Sequence, residues 1–116
     1  MNQIAIPSSL TSIGDCAFLG CTSLKQVTFE TPSSLKSIGN SSFHSCSSLT
    51  QITIPSHESS AGDTAFYGCS SLTYIEFPSS LRSIEEFALY DCKALAKVII
   101  SQHFWKKLKF SKQANY

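Results

Sequence analysis

Short runs of alternating apolar and polar residues recur along the chain at a nearly fixed interval. Ile4-Ala5-Ile6 is the first, followed by Val27-Thr28-Phe29, Ile52-Thr53-Ile54 and Ile75-Glu76-Phe77. A leucine stands three residues ahead of the later runs, at Leu24, Leu49 and Leu72, and Leu95 stands likewise ahead of Val98. Alternation over so short a stretch predicts a strand with one buried face, because successive side chains of a strand point to opposite sides. Aligning the runs brings the rest of the chain into register. Residues 4–26, 27–51, 52–74 and 75–97 form repeats, and a partial fifth opens at Val98 before the pattern is lost. Cys21, Cys46, Cys69 and Cys92 mark the period, spaced by 25, 23 and 23 residues. Repeats of roughly 20–29 residues belong to solenoids in which each repeat forms one coil and buries its apolar side against the next.

Within a coil the strand is followed by Pro7, Pro32 or Pro78, each before a pair of serines. Proline removes an amide donor and turns the chain out of the sheet. The next segment, Ser12-Ile13-Gly14-Asp15 with counterparts at residues 37–40, 60–63 and 83–86, has the form of a capping box. It predicts a short helical turn that carries Ala17 and Phe18, Phe43, Ala65 and Phe66, or Ala88 and Leu89 inward. Gly20, Ser45, Gly68 and Asp91 share the position before the marker cysteine, which suits a left-handed stop. The expected architecture is an α/β solenoid of about four coils, with short parallel strands on one face and short helical turns on the other.

The ordered phrase I-x-I-P-S-S-L-x-S-I-G-x-x-A-F-x-G-C-S-S-L, carried by residues 4–100, resembles the BspA-type leucine-rich repeat. That family includes surface and adhesion proteins of anaerobic bacteria and of parasitic protists. The resemblance implies a right-handed leucine-rich-repeat solenoid at the cell surface that binds proteins or glycoproteins, host extracellular matrix among them. It offers no catalytic residues and no cofactor to carry over. Such repeats occur on many unrelated proteins, so the fold names no ligand.

At 42% hydrophobic and 15% charged, the 116 residues can bury a core as one small domain. The net charge of +1 gives no global bias toward nucleic acid. It hides an asymmetry, however. Residues 1–100 sum to −3 and residues 101–116, with Lys106, Lys107, Lys109 and Lys112, to +4. In the latter segment Phe104, Trp105 and Leu108 fall on one side of a helix, which predicts a basic amphipathic cap or tail over residues 101–116. The sequence shows no secretion leader and no transmembrane segment. The first repeat lacks a polar cap, so its open face is a candidate for self-association, either in a longer array or with another molecule. In the third repeat Glu58 and Ala61 replace apolar residues, and residues 55–63 are expected to be locally rearranged with Glu58 in solvent. The second repeat is longer by two residues, and its loop at 30–32 is expected to protrude.

In-register positions of a parallel stack lie about 4.7–4.9 Å apart, so the four marker cysteines should form a buried, reduced column. Cys16 falls in a different column and should be the accessible thiol. The cysteines do not converge as a metal site requires. His44, His57 and His103 occupy unrelated positions, away from any exposed thiol. The surface left for function is the concave strand face. Its outward columns read Gln3, Gln26, Gln51, Tyr74, Lys97 and Ala5, Thr28, Thr53, Glu76, Ile99. Gln26, Thr28, Gln51 and Thr53 make a bland polar sheet. Tyr74, Glu76, Lys97 and Ile99 offer an aromatic, both charges and an aliphatic side chain together, the composition of a contact patch.

Overall fold

The computed structural model describes residues 2–55 and 60–110. Its elements are β1 (Gln3–Ile6), β2 (Ser12–Ile13), β3 (Gln26–Phe29), β4 (Ser37–Ile38), β5 (Gln51–Thr53), β6 (Ser60–Ala61), β7 (Tyr74–Glu76), β8 (Ser83–Ile84), β9 (Lys97–Ile99) and the one-turn helix α1 (Gln102–Trp105). The odd-numbered strands through β9 form a parallel sheet in the order β1-β3-β5-β7-β9, and the two-residue strands form a second in the order β2-β4-β6-β8. The chain is a parallel-strand β-solenoid of about four turns. Its register follows the sequence alignment: Val27 faces Ile4, Ile75 faces Ile52 and Val98 faces Ile75.

The helical turns expected opposite the main sheet are replaced by chains of tight turns. Ala17, Leu19 and Cys21 donate their N–H groups three residues back, to Gly14, Cys16 and Phe18, at 3.1–3.2 Å. The intervening Cys16, Phe18 and Gly20 donate instead to Asn40, Ser42 and His44 of the next coil, at 2.7–2.9 Å. A helix directs all its N–H groups along its own axis. Here alternate groups swing sideways, because two residues in each of the first three coils, and one in the fourth, are left-handed. One column is Gly20, Ser45, Gly68 and Asp91, as the sequence predicts; the other is Cys16, Ser41 and Thr64. The same links join the second coil to the third through Ser41, Phe43 and Ser45, and the third to the fourth through Phe66 and Gly68. Backbone ladders therefore run along the stack on both sides.

Side chains extend these ladders. Asp15 Oδ1 accepts from the N–H of Asn40, and Asn40 Oδ1 from that of Asp63, each at 2.8 Å. The serine-x-x-acid pattern thus caps the neighbouring coil, and not a helix of its own. Coils approach so closely here that a Cβ on Gly39 or Gly62 would lie 2.6 Å from backbone atoms of the preceding coil, whereas one on Gly14 would meet nothing within 4 Å.

Inside, identical residue types stack. Phe18, Phe43 and Phe66 lie with ring centroids 5.1 and 5.4 Å apart and nearly parallel planes. Leu24, Leu49, Leu72 and Leu95 form another buried column, and Ile13, Ile38, Ala61 and Ile84 a third. The marker thiols also form a ladder: Cys46 Sγ donates to Phe18 O, Cys69 Sγ to Phe43 O and Cys92 Sγ to Phe66 O, at 3.1–3.2 Å. Cys46, Cys69 and Cys92 are buried and unpaired by disulfides, and Cys16 is exposed. Cys21 corrects the expected column, since in the outermost coil it is only half-buried. Burial pushes the Cys46 thiol up from 9.0 to about 11. The Cys92 thiol beside it, together with burial, raises Cys69 as well.

Ser42 breaks the pattern of the core. It stands in register with Ala17, Ala65 and Ala88, is fully buried, and its Oγ has no hydrogen-bond partner. Glu58 and His57 lie outside the described residues. The expected rearrangement of residues 55–63 does not extend to residues 60–63. Ser60 and Ala61 pair in register with both neighbours, Gly62 N–H reaches Ile38 O at 2.8 Å, and Asp63 takes the side-chain link from Asn40.

After β9 the chain makes one helical turn, with Ser101 Oγ accepting from His103 N–H at 3.3 Å. The helix ends at Trp105, short of the predicted span to Leu108. From there the chain returns to the last coil, where Lys109 N–H donates to Glu86 O at 2.7 Å and Leu108 enters the core.

Replacing Ser42 by Ala should raise stability by about 1 kcal/mol, because it removes an unsatisfied buried hydroxyl from an alanine site. A denaturant midpoint at or below that of the parent protein would refute this. Gly62→Ala should cost about 1–3 kcal/mol from forced coil separation, while Gly14→Ala should be neutral or slightly stabilising. Thermal unfolding of the pair measures the difference directly. The thiols should sort by burial: alkylation of the native protein reaches Cys16 first, Cys21 more slowly, and the other three only on unfolding. Stability should also fall as pH rises from 9.0 toward about 11, since the unfolded chain releases the Cys46 proton that the native state retains.

Candidate binding surface

The strand face is built from every second residue of the odd-numbered strands. Gln3, Gln26, Gln51, Tyr74 and Lys97 stand in one register column. Ala5 faces Thr28, and Thr53, Glu76 and Ile99 follow one another in the second. Gln26, Thr28, Gln51, Thr53, Lys97 and Ile99 are exposed, whereas Tyr74 and Glu76 are half-buried. The inward partners Val27, Ile52 and Ile75 are buried, so the outward side chains can change without disturbing the core.

Tyr74 is not a free anchor. Its hydroxyl donates to Glu76 Oε1 at 2.6 Å, along one face of β7. This bond to a carboxylate holds the phenol above its usual ionisation range. It also holds the two side chains together on one face of β7. Lys97 and Ile99 lie beside Tyr74 and Glu76 on the next strand. Ile99 is 37% exposed and is one of the few large apolar side chains left open to solvent.

Two depressions interrupt the sheet, neither of them evident from the repeat pattern. Between β3 and β5 the strands pair at Gln26 and Gln51 alone, and a cleft of about 330 Å³ opens beyond that pair over Thr28, Thr31, Thr53 and Pro55. The inserted Glu30 and Thr31 lengthen the second coil at this place, which is the signal from which the parting could have been read. The larger groove, about 770 Å³, runs along the strand ends past Thr31, Pro55, Glu76, Pro78 and Ile99, with Ile54 and Phe77 beneath. Glu76 and Ile99 belong both to this groove and to the strand-face patch. The strand-face patch thus opens into a trough at the strand ends.

The remaining candidate chemistry stays dispersed. Among the described residues no group of three or more histidines, cysteines or acids is placed to hold a metal ion. His44 stacks on Tyr67 at 4.9 Å and shares a 2.8 Å hydrogen bond through Nδ1 with Ser45 Oγ, so its ring is engaged within the turns. No helix among the described residues is long and apolar enough to cross a membrane.

Comparison with known proteins agrees with this geometry. A leucine-rich cell surface protein from Faecalibacterium prausnitzii is 31% identical and superposes with a TM-score of 0.82 over 97% of this chain and 30% of its own. A leucine-rich repeat protein from Bacteroides ovatus is 30% identical, with a TM-score of 0.82 over 100% of this chain and 30% of its own. The leucine-rich repeat protein of T. pallidum, at 23% identity and a TM-score of 0.63, shares the fold over 97% of this chain and 58% of its own. The chain therefore spans under a third of the first two proteins. No curated protein matches it. The BspA type leucine rich repeat region (6 copies) matches residues 1–114, and the chain belongs to this family.

Proposed function

We propose that the chain is a non-enzymatic module that binds a protein or glycoprotein on its strand face. Tyr74, Glu76, Lys97 and Ile99 form the centre of the footprint. Gln26, Thr28, Gln51 and Thr53 form its polar flank. The observation that carries this reading is the continuity of the Tyr74–Glu76 pair and exposed Ile99 with the apolar groove at the strand ends. An aromatic and an aliphatic side chain rimmed by both charges match the usual energetic core of an interface. Placement at a cell surface is part of the proposal and is supported by the similarity to the Faecalibacterium prausnitzii cell surface protein.

A second reading is self-association through the first coil. It is favoured by Ile4, Leu10, Phe18 and Cys21, which pack against the core yet remain only partly buried. Sedimentation across a concentration series separates the two readings: a rising mass supports assembly, and a constant mass leaves ligand binding.

With a partner obtained by pull-down on the intact chain, Tyr74→Ala should weaken affinity by about 2 kcal/mol or more, and Gln26→Ala by under about 1 kcal/mol. Neither side chain enters the core, so both variants should melt near the parent temperature. Equal losses at the two positions, or none, would place the interface elsewhere.

A further inference from the structure

Two departures from the repeat fall two residues apart in the second coil. The column Asp15, Asn40, Asp63 and Glu86 is acidic in every coil but this one, and the column Ala17, Ser42, Ala65 and Ala88 is alanine in every coil but this one. The fold has no use for either change. At the first position it needs an acceptor oxygen for the neighbouring coil, and the carboxylate of Asp15 supplies one as well as the amide of Asn40 does, each at 2.8 Å. At the second it needs a small apolar group, and Ser42 instead buries a hydroxyl that has no hydrogen-bond partner. Such a group is destabilising, so its presence calls for a reason outside the packing.

The reason lies in what the two residues make together. Asn40-Ser41-Ser42 has the form N-x-S with a residue other than proline between, the acceptor triplet of N-linked glycosylation. Of the three asparagines in the sequence, Asn40 is the one followed two positions on by a hydroxyl residue. So short a motif recurs by chance, but this one is set apart by a hydroxyl that is idle in the fold and by the placement of its amide. Asn40 is exposed, two residues past β4 and off the strand-face sheet. Asp63 N–H can only donate, so the atom that meets it is Oδ1, and Nδ2 is left without a hydrogen bond among the described residues. A substituent on Nδ2 therefore keeps the link between the coils.

We propose that Asn40 carries an N-linked glycan, attached before the second coil folds and buries the Ser42 hydroxyl. Nδ2 forms a bond to C1 of an oligosaccharide held on a polyprenyl diphosphate. The C1–O bond breaks, polyprenyl diphosphate leaves with the electron pair, and the nitrogen gives up one of its two protons. The site rests on the surface placement proposed above, because such donors serve chains entering a secretory route.

The chain's own repeats supply conservative test variants. Asn40→Asp copies Asp15 and keeps the acceptor oxygen, and Ser42→Ala copies Ala17 and Ala65. The parent chain and both variants are expressed with an epitope tag in the cells that make the protein, and their intact masses are read before and after peptide N-glycosidase treatment. The parent should exceed its sequence mass by one oligosaccharide and lose that excess on treatment, which leaves an aspartate at position 40. Both variants should lack the excess entirely. Ser42→Ala is the sharper of the two, since it leaves the Asn40 amide and its hydrogen bond in place and a purely structural role for Ser42 would not change the mass. A parent chain at its sequence mass, or an oligosaccharide retained by either variant, would overturn the proposal. A membrane-impermeant biotin reagent applied to intact cells tests the placement separately. Labelled protein at its sequence mass refutes the glycan alone, whereas unlabelled protein at its sequence mass refutes both the glycan and the surface placement.

Discussion

The structure depends on hydrogen bonds between coils. Each coil is too short to saturate its own backbone, and it places N–H and C=O groups on its neighbours along both sheets and the intervening turns. That requirement fixes the coil separation near the interstrand spacing of about 4.7–4.9 Å. Every other feature follows from it. Rings one coil apart must lie nearly parallel, as Phe43 and Phe66 do with planes 2° apart. Thiols one coil apart must fit beneath a carbonyl, and the second and third coils need glycine where the second ladder leaves its strand.

Stacking makes the energetics a matter of nearest neighbours. A single irregular residue is therefore tolerated if both interfaces around it hold. Ser42 is the example: its hydroxyl is buried without a partner, yet Phe18 N–H still reaches its carbonyl at 2.7 Å and the ladder continues. Ala61, smaller than the isoleucines of its column, keeps its register in the same way. In the first coil described, Cys21 is half-buried where its counterparts are buried.

What could be read from the sequence was whatever the repeat carried. The strand register, the outward columns and the left-handed position of Gly20 and Gly68 all follow from aligning the copies. The helical turns did not survive, because Ser12-x-x-Asp15 is a local capping signal whose carboxylate acts on the next coil, a contact that sequence separation hides. The Tyr74–Glu76 bond agrees with the alternation, since residues two apart share a strand face, but alternation fixes which side chains share that face and not which of them bond. The groove and the cleft were not legible, as both depend on how strands splay beyond a paired residue.

Comparing columns within the chain shows where such a fold keeps its specificity. Inward positions repeat almost unchanged, with leucine at residues 24, 49, 72 and 95 and cysteine at the four marker sites. Outward positions do not: glutamine gives way to Tyr74 and Lys97 on the strand face, and Leu19 to His44 and Tyr67 on the turns. The backbone ladders and buried columns satisfy the fold without help from these side chains, so the outward columns are free to differ from coil to coil. Recognition built on this scaffold is written in those differences, and the proposed strand-face site lies where the repeat is least faithful to itself.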